Sequence, residues 1–595
     1  WLPGLNAALL ILFIPRLAAA LYWPIADCDE VFNYWEPLHF LIHGQGARTW
    51  EYNPPFALRS WSYILLHWLQ AGVWEGVHAN VLRAILPVCM QPSKAAGFYL
   101  LRTSLALFSS FADASLYTSF ATTLCATRGT RPMAFAGLAL LASGCGVVGA
   151  APAFLPSSFA MPLVSLSVAA LLDLEGLSLS GKKDRGDVAG LKAKLASITI
   201  VCMVVAGVVG WPFVLFLTLP MASVLLAHLP FLSLVTLSLQ AVVAVALPVI
   251  AIDSAFYGRL TFPPLNIALY NIASESGGGS ELYGTEAWWF YLANLALNAN
   301  VALPLFLALP FLLFFLKRRR AVGAILGPAA LWVAFLSLQP HKEERFLSPV
   351  LPLIALSAAI ALHFMARLFA SPLPARLAHP AYILMTGTVV LVSLLLSSSR
   401  AALIVHGFAA PLRAWPALSR DVAAHERSTG LLDLPMNVCV GKEWFRFPSS
   451  FLLDSDPARR PSRVRFIKSR FDGQLPAWFD PWDSVETLFH ATRRVDETLN
   501  RDNKEDFSRY VKEEECHYLV DLASPQQAEK HYEQSSDWEE VARFPFLDLP
   551  ASRFPYKSLY IPLLSPAKNG YLPYLVLRSR SRTTPRMSYS EKEET

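Results

Sequence analysis

Four carboxylates fall within the eleven residues Asp27-Cys28-Asp29-Glu30-Val31-Phe32-Asn33-Tyr34-Trp35-Glu36-Pro37, just after a first apolar segment. In so apolar a chain, acids placed at the mouth of a membrane span are the leading candidates for chemistry. One of them can act as a general base that takes the proton of an attacking hydroxyl, while its neighbours bind sugar hydroxyls. The competing reading is a solvated helix start, with Asp29 as N-cap and Glu30 in the first turn.

Asp27-Cys28-Asp29 also has the spacing of an Asp-x-Asp cation clamp. Such a clamp normally closes a strand in an α/β fold, and this one leaves a membrane helix, so the match is weak. A second ionisable run, His341-Lys342-Glu343-Glu344-Arg345-Phe346, lies between two apolar segments. Arg345 or Lys342 could neutralise a lipid-linked phosphate at the membrane surface, arginine being the better bidentate partner for phosphate oxygens. Snorkelling with local ion pairs is the plainer alternative. Asp253, Tyr257, Arg259 and the run from Gly277-Gly278-Gly279 to Tyr283-Gly284-Thr285 mark a third polar loop, flexible enough to order over a substrate.

These loops need a frame, and composition supplies it. Of 595 residues, 54% are hydrophobic and 16% charged, which is too apolar for a soluble globule. Apolar stretches able to cross a ~30 Å hydrocarbon core recur up to about residue 398. They lie near 3–24, 97–122, 133–150, 157–175, 195–210, 212–229, 230–252, 288–316, 321–338, 347–368 and 380–398, which makes about eleven. Arg16 sits inside the first and must be paired, snorkelling or part of a site. Between the first two, residues 25–93 form a long loop in which Phe32, Trp35, Leu38 and Phe40, and again Phe56, Trp61, Ile64 and Trp68, recur at helical spacing. They predict helices lying in the interface.

Lys and Arg in short loops set the orientation. Arg128 and Arg131, the cluster Lys182, Lys183, Arg185, Lys192 and Lys194, Lys317 to Arg320, and Arg367 with Arg376 fall on one side, predicted cytoplasmic. The loops 25–93, 151–156, 253–287 and 339–346 then share the opposite, lumenal side with the C-terminal part. Trp211-Pro212 could make 195–229 one broken helix, and merging it would invert everything downstream. Residues 400–580 have soluble composition, with β-rich runs at Asn437-Val438-Cys439-Val440 and Cys516-His517-Tyr518-Leu519-Val520, and predict a small α/β domain. Residues 581–595 read as a disordered tail. Seven cysteines without CxxC pairing argue against a zinc site, and Cys439 and Cys516 could form one bridge if their domain is lumenal. No basic stripe interleaved with aromatics suggests nucleic acid.

The stretch Asp27 to Pro37, with His39, Trp50-Glu51-Tyr52 and Arg59-Ser60 after it, and then His341 to Phe346, resembles the dolichyl-phosphate-mannose-dependent mannosyltransferases of the endoplasmic reticulum. Within them it is most similar to the α-1,2 branch of glycosyltransferase family 22, which extends the lipid-linked oligosaccharide of N-glycosylation. Phe154-Leu155-Pro156-Ser157-Ser158, Gly210-Trp211-Pro212-Phe213, Phe256-Tyr257-Gly258 and Asn437 to Trp444 fit that branch, so the resemblance runs from about residue 15 to about 525.

The resemblance implies a polytopic α-helical membrane protein of the C-type glycosyltransferase fold, residues 1–399, with a large first lumenal loop and a C-terminal lumenal α/β domain. It implies inverting transfer from dolichyl-phosphate-mannose to a dolichyl-diphosphate-linked oligosaccharide, with membrane lipids as surroundings and neither metal nor cofactor. Carried onto this sequence, Asp29 takes the base role ahead of Glu30 and Asp27. Arg345, His341 and Lys342 face the donor phosphate, and Asn33, Trp35, Glu36, His39, Arg59, Glu344 and Tyr257 bind substrate. Two other functions fit the same residues. A glycolipid-anchor mannosyltransferase would share the donor, and a lipid flippase or transporter would line its path with Arg16 and the acid loops, although no internal repeat supports it.

Overall fold

The computed structural model describes residues 2–77, 94–179, 185–273, 279–316, 318–429, 436–453, 462–524 and 530–583. Residues 78–93 of the first loop, Lys182, Lys183, Lys317, Gly277, Gly278 and the tail from 584 lie outside them. Seven helices among the described residues are long and apolar enough to cross a membrane: Leu5–Tyr22, Pro156–Ser178, Val188–Gly210, Phe231–Tyr257, Arg319–Leu338, Glu344–Ala370 and Arg376–His425. An eighth is the bent pair Phe290–Asn298 and Ala302–Phe315, which meet at 115°. The chain is thus a multi-span membrane protein.

The three remaining predicted spans exist as helices with a physical difference. Lys94–Leu124 is long, but Arg102, Asp113 and a series of Ser and Thr make it more polar than a lipid-facing span. The segment 133–150 is divided at Gly144 into Arg131–Ser143 and Cys145–Ala150. Beyond Trp211, Pro212–Leu226 is shorter than a span. Pro212 offers no backbone N–H and cannot continue the preceding helix, which closes in a wide turn at Ala206–Gly210.

Helix α1 (Leu5–Tyr22), α2 (Lys94–Leu124) and α3 (Pro156–Leu179) are fastened by polar groups that face inward. Arg16 is paired. It donates to Asp113 Oδ2 at 2.6 Å and to Ser109 Oγ at 3.0 Å, and Ser165 donates to Asp113 Oδ1 at 2.6 Å. Neither charge is exposed, so each neutralises the cost of burying the other.

The C-terminal part carries a five-stranded mixed sheet. Strand β1 is Ala47–Arg48 in the first loop; β2 (Asn437–Val440), β3 (Arg463–Phe466), β4 (Ala477–Trp478), β5 (Tyr518–Leu522), β6 (Trp538–Asp548) and β7 (Gly570–Ser579) follow. The order β3-β2-β5-β7-β6 has β2 parallel to β3 and β5, with the rest antiparallel. Central strands β2 and β5 are apolar and almost wholly buried, as strands covered on both faces must be. A disulfide joins Cys439 and Cys516. The last span runs straight into the amphipathic helix Ala410–Thr429, which packs on β6 and β7.

One end of the bundle gathers the acid-rich loops. Phe154 touches Glu30, Asp253 touches Ser60, Arg345 touches Asp29, and Ser450 touches Glu36. Glu175, His228 and Arg320 meet elsewhere, His228 Nε2 lying 2.8 Å and Arg320 Nε 3.7 Å from the Glu175 carboxylate.

Candidate functional site

The acid stretch folds as a single helical run. Asp27 caps it by accepting from Asp29 N at 2.9 Å; the turns Cys28–Glu30 and Val31–Trp35 lead into Glu36–His43, and Gly44 closes it in a left-handed conformation. Val31–Trp35 is a wide, π-type turn, a local device frequent at functional sites. It helps split the run into two faces. Asp29 and Asn33 look into a cleft of about 1270 Å³, whereas Trp35 and Glu36 look away from it.

The outward face is framework. Trp35 is fully buried among Phe98, Phe154 and Phe451. Glu36, also fully buried, accepts from Ser450 N at 2.7 Å, Ser450 Oγ at 2.8 Å, Ser449 Oγ at 3.3 Å and Ala47 N at 3.2 Å. The last bond requires Gly46, since a Cβ there would lie 2.2 Å from the Glu36 carbonyl oxygen. Nearby, Trp482 donates to Phe40 O at 2.7 Å, Phe479 stacks on Phe40, and β1 pairs with β4. The C-terminal domain is therefore bolted to the back of the first loop. His39 donates from Nδ1 to Gln45 O at 2.5 Å, and burial holds its ring well below the usual histidine range. Tyr257 donates to Arg59 O at 2.7 Å, and Asp253 accepts from Ser60 Oγ at 2.8 Å and Ser62 N at 3.1 Å. Trp35, Glu36, His39 and Tyr257 thus do not line the cleft; they position residues that do.

The cleft face brings the two ionisable runs together across more than 300 residues of chain. Arg345 reaches Asp27 Oδ2 at 2.8 Å, Asp29 Oδ2 at 2.6 Å and Glu343 Oε2 at 2.5 Å. Arg59 lies 2.7 Å from Glu51 and 3.7 Å from Asp29, and donates to Tyr34 Oη at 2.6 Å. His341 donates from Nδ1 to Gly284 O and from Nε2 to Glu343, each at 2.8 Å; two donating nitrogens mean an imidazolium, and the Glu343 hydrogen bond raises its pKa accordingly. Lys342 donates to Glu286 O at 2.7 Å and to Gln339 O, Glu344 accepts from Asn298 at 2.7 Å, and Asn33 accepts from Thr49 at 2.6 Å.

The three neighbouring acids differ. Burial pushes Asp27 up to about 7, with Arg345 opposing and Asp29 adding. Asp29 feels the same burial, but Arg345 and Arg59 outweigh it and hold its carboxyl below the usual range. Glu30 is pushed up by burial; it accepts from Trp35 Nε1 and Phe154 N, both at 3.0 Å, and so props the loop. Asp27, Cys28 and Asp29 place one ligand atom each within 4.8 Å of one another, a set that could hold a cation. In this structure Arg345 already supplies positive charge to both carboxylates.

Several cleft residues carried no role from sequence. Glu51, Glu343 and Trp444 stood inside quoted motifs; Phe445 and Phe471 come from the C-terminal domain, where nothing local marks them. Arg102 also lines the cleft and was readable, being a charge inside an apolar run like Arg16.

Comparison with known proteins gives a consistent picture. The model of the Alg9-like mannosyltransferase family matches residues 7–454. The chain is similar to the α-1,2-mannosyltransferase ALG9 of Mus musculus, with 37% identity over 98% of this chain and 90% of that protein. It is similar to the α-1,2-mannosyltransferase alg9 of Schizosaccharomyces pombe, with 32% identity over 94% and 93%. In fold it is similar to the crystal structure of ArnT from Cupriavidus metallidurans bound to undecaprenyl phosphate, with a TM-score of 0.53 and 14% identity over 91% of this chain and 95% of that one. The architecture is that of the C-type membrane glycosyltransferases.

Proposed function

Since the chain belongs to the Alg9-like mannosyltransferase family and is thus a glycosyltransferase, we propose that it moves mannose from dolichyl-phosphate-mannose to the 2-hydroxyl of a mannose on a dolichyl-diphosphate-linked oligosaccharide. The observation that carries this reading is the cleft in which Arg345 joins Asp27, Asp29 and Glu343. Asp29 takes the proton of the acceptor hydroxyl as its oxygen bonds to C1 of mannose from the face opposite the phosphate. The C1–O bond to phosphate breaks with its electron pair, and dolichyl phosphate leaves. Inversion turns a β-linked donor into an α-1,2 product. The departing phosphate gains charge, so cations stabilise it more than a proton would. Arg345, His341 and Lys342 supply that charge, and with Arg345 seated on both aspartates the reaction as read here calls for no metal. The site faces the lumen of the endoplasmic reticulum, where the Cys439–Cys516 disulfide is at home.

A second reading makes Asp27 the base, favoured by its carboxyl standing at about 7, near the working pH. The pH profile of kcat/KM separates the two. A base works only while ionised, so activity is lost as pH falls through its pKa. With Asp29 as base, kcat/KM should stay flat from neutrality down into the range where carboxylates titrate. With Asp27, it should be half-maximal near pH 7 and fall about tenfold for each further unit of acid.

The function itself is tested by single-turnover transfer from dolichyl-phosphate-mannose in detergent, with chelator present, to a mannose-rich lipid-linked acceptor and to a glycolipid-anchor acceptor. Product on the first only, removed by an α-1,2-specific mannosidase, is expected. Product on the second moves the chain to the sister acceptor. Both lipids bound with no product would turn the reading to transport.

A further inference from the structure

Among the described residues, five cationic side chains line the cleft: Arg59, Arg102, His341, Lys342 and Arg345. Four are engaged chiefly by protein groups. Arg345 serves three carboxylates, Arg59 serves Glu51, Asp29 and Tyr34, Lys342 serves two carbonyls, and His341 serves one carbonyl and one carboxylate. Arg102 is different. It is 2% exposed, and its Nη2 donates to Trp23 O at 2.7 Å and Ala19 O at 3.2 Å, at the end of α1. Its Nε and Nη1 reach no acceptor among the described residues. The guanidinium lies 5.3 Å from the centre of the Phe98 ring and feels the charge of nearby Glu30, but the Glu30 carboxylate spends its hydrogen bonds on Trp35 Nε1 and Phe154 N. A buried guanidinium with two idle donors is costly unless an anion arrives from outside the chain.

A second feature meets the first in the same cleft. Helix α3 starts at Pro156, beside Phe154 and therefore beside Glu30, and spans 24 residues. The N–H groups of Ser157 and Ser158 fall in its first turn, where no intrahelical acceptor exists and the helix dipole favours negative charge. Both serines are buried, about 5% exposed, and line the cleft, and neither hydroxyl makes a hydrogen bond to another described residue. Gly146, Gly149, Ala150 and Ala153 line the wall nearby.

We propose that Arg102, the first turn of α3 and the hydroxyls of Ser157 and Ser158 form a polyprenyl-phosphate subsite in the same cleft as the Arg345 cluster, and that they seat a lipid-linked phosphate to which that cluster supplies charge during transfer. The proposal rests on the function proposed above in so far as a polyprenyl phosphate is the ligand class. Planar guanidinium and paired N–H donors suit phosphate oxygens, and α1 exposes Leu10, Ile11 and Ile14 as an apolar flank for the polyprenyl chain.

The test uses the full chain in nanodiscs and measures the Kd of dolichyl phosphate and of dolichyl diphosphate, together with KM for donor and for acceptor. Arg102→Gln should weaken dolichyl phosphate about tenfold or more, and Arg102→Lys less. Because Arg102 also caps α1, a Ser157→Ala, Ser158→Ala double variant, which touches none of those bonds, should weaken it several-fold by itself. Donor KM should rise in step, with acceptor KM unchanged. Loss confined to dolichyl diphosphate and acceptor KM would keep the subsite and give it to the acceptor. If wild type binds dolichyl phosphate through these residues but transfers no mannose, the proposed function fails and the subsite stands. Unchanged affinity for both lipids in the serine and Arg102→Lys variants of an active enzyme would overturn the proposal.

Discussion

Replacing Asp29 by Asn should reduce turnover by roughly 10²–10⁴-fold while leaving dolichyl phosphate bound. The amide keeps the shape of the carboxyl, and its oxygen can still accept from Arg345 Nη2, so the loop has no reason to move. What disappears is the ability to take a proton. The loss should therefore fall on kcat, with little change in donor affinity, and single-turnover transfer beside a lipid-binding measurement reads both. Near-normal turnover would remove Asp29 from the base role and pass it to Asp27.

Arg345→Gln should cost as much or more, about 10³-fold in kcat/KM, and for a different reason. Arg345 answers three carboxylates at 2.8, 2.6 and 2.5 Å. Without it, Asp27, Asp29 and Glu343 repel one another, and burial raises their pKa values with only Arg59 and His341 left as cations to oppose it. The surviving activity should therefore show its acid limb displaced to higher pH. Arg345→Lys should recover only part, because a point charge cannot span three acceptors as the guanidinium does. A profile in Arg345→Gln that merely scales down, with its acid limb in place, would separate Arg345 from the acids' ionisation.

The frame was legible because lipid makes strict demands on sequence. Runs such as 230–252 and 347–368 are apolar for no reason a soluble protein would need, and the loops that charge placement assigned to one side do meet at one end of the bundle. The two ionisable runs could be noticed separately, but only tertiary structure puts Arg345 on Asp27 and Asp29. Glu36 shows the limit. In sequence it is one more acid beside three others, and its real partners, Ser449 and Ser450, lie more than 400 residues away, where no local pattern points back to it. The wide turn at Val31–Trp35 compounds this, because a regular helical period does not show that Trp35 and Glu36 face away from the acids beside them. Arg102 was readable by the logic that singled out Arg16; the difference between them, one in direct ion pair with Asp113 and the other with two idle donors, is visible only once the helices are packed.

The bolts between the first loop and the C-terminal domain also bear on timing. Glu36 waits for Ser450 across 414 residues, and Phe40 for Trp482 across 442. At about 5–20 residues per second, ribosomal synthesis separates Glu36 from its partners by roughly 20–80 s. Throughout that interval Asp27, Asp29 and Glu30 have been made but lack the wall behind them. A chain that stops short of Trp482 thus carries every described span and every acid of the cleft yet not the contacts that finish its wall, so the cleft is completed by residues made long after its acids.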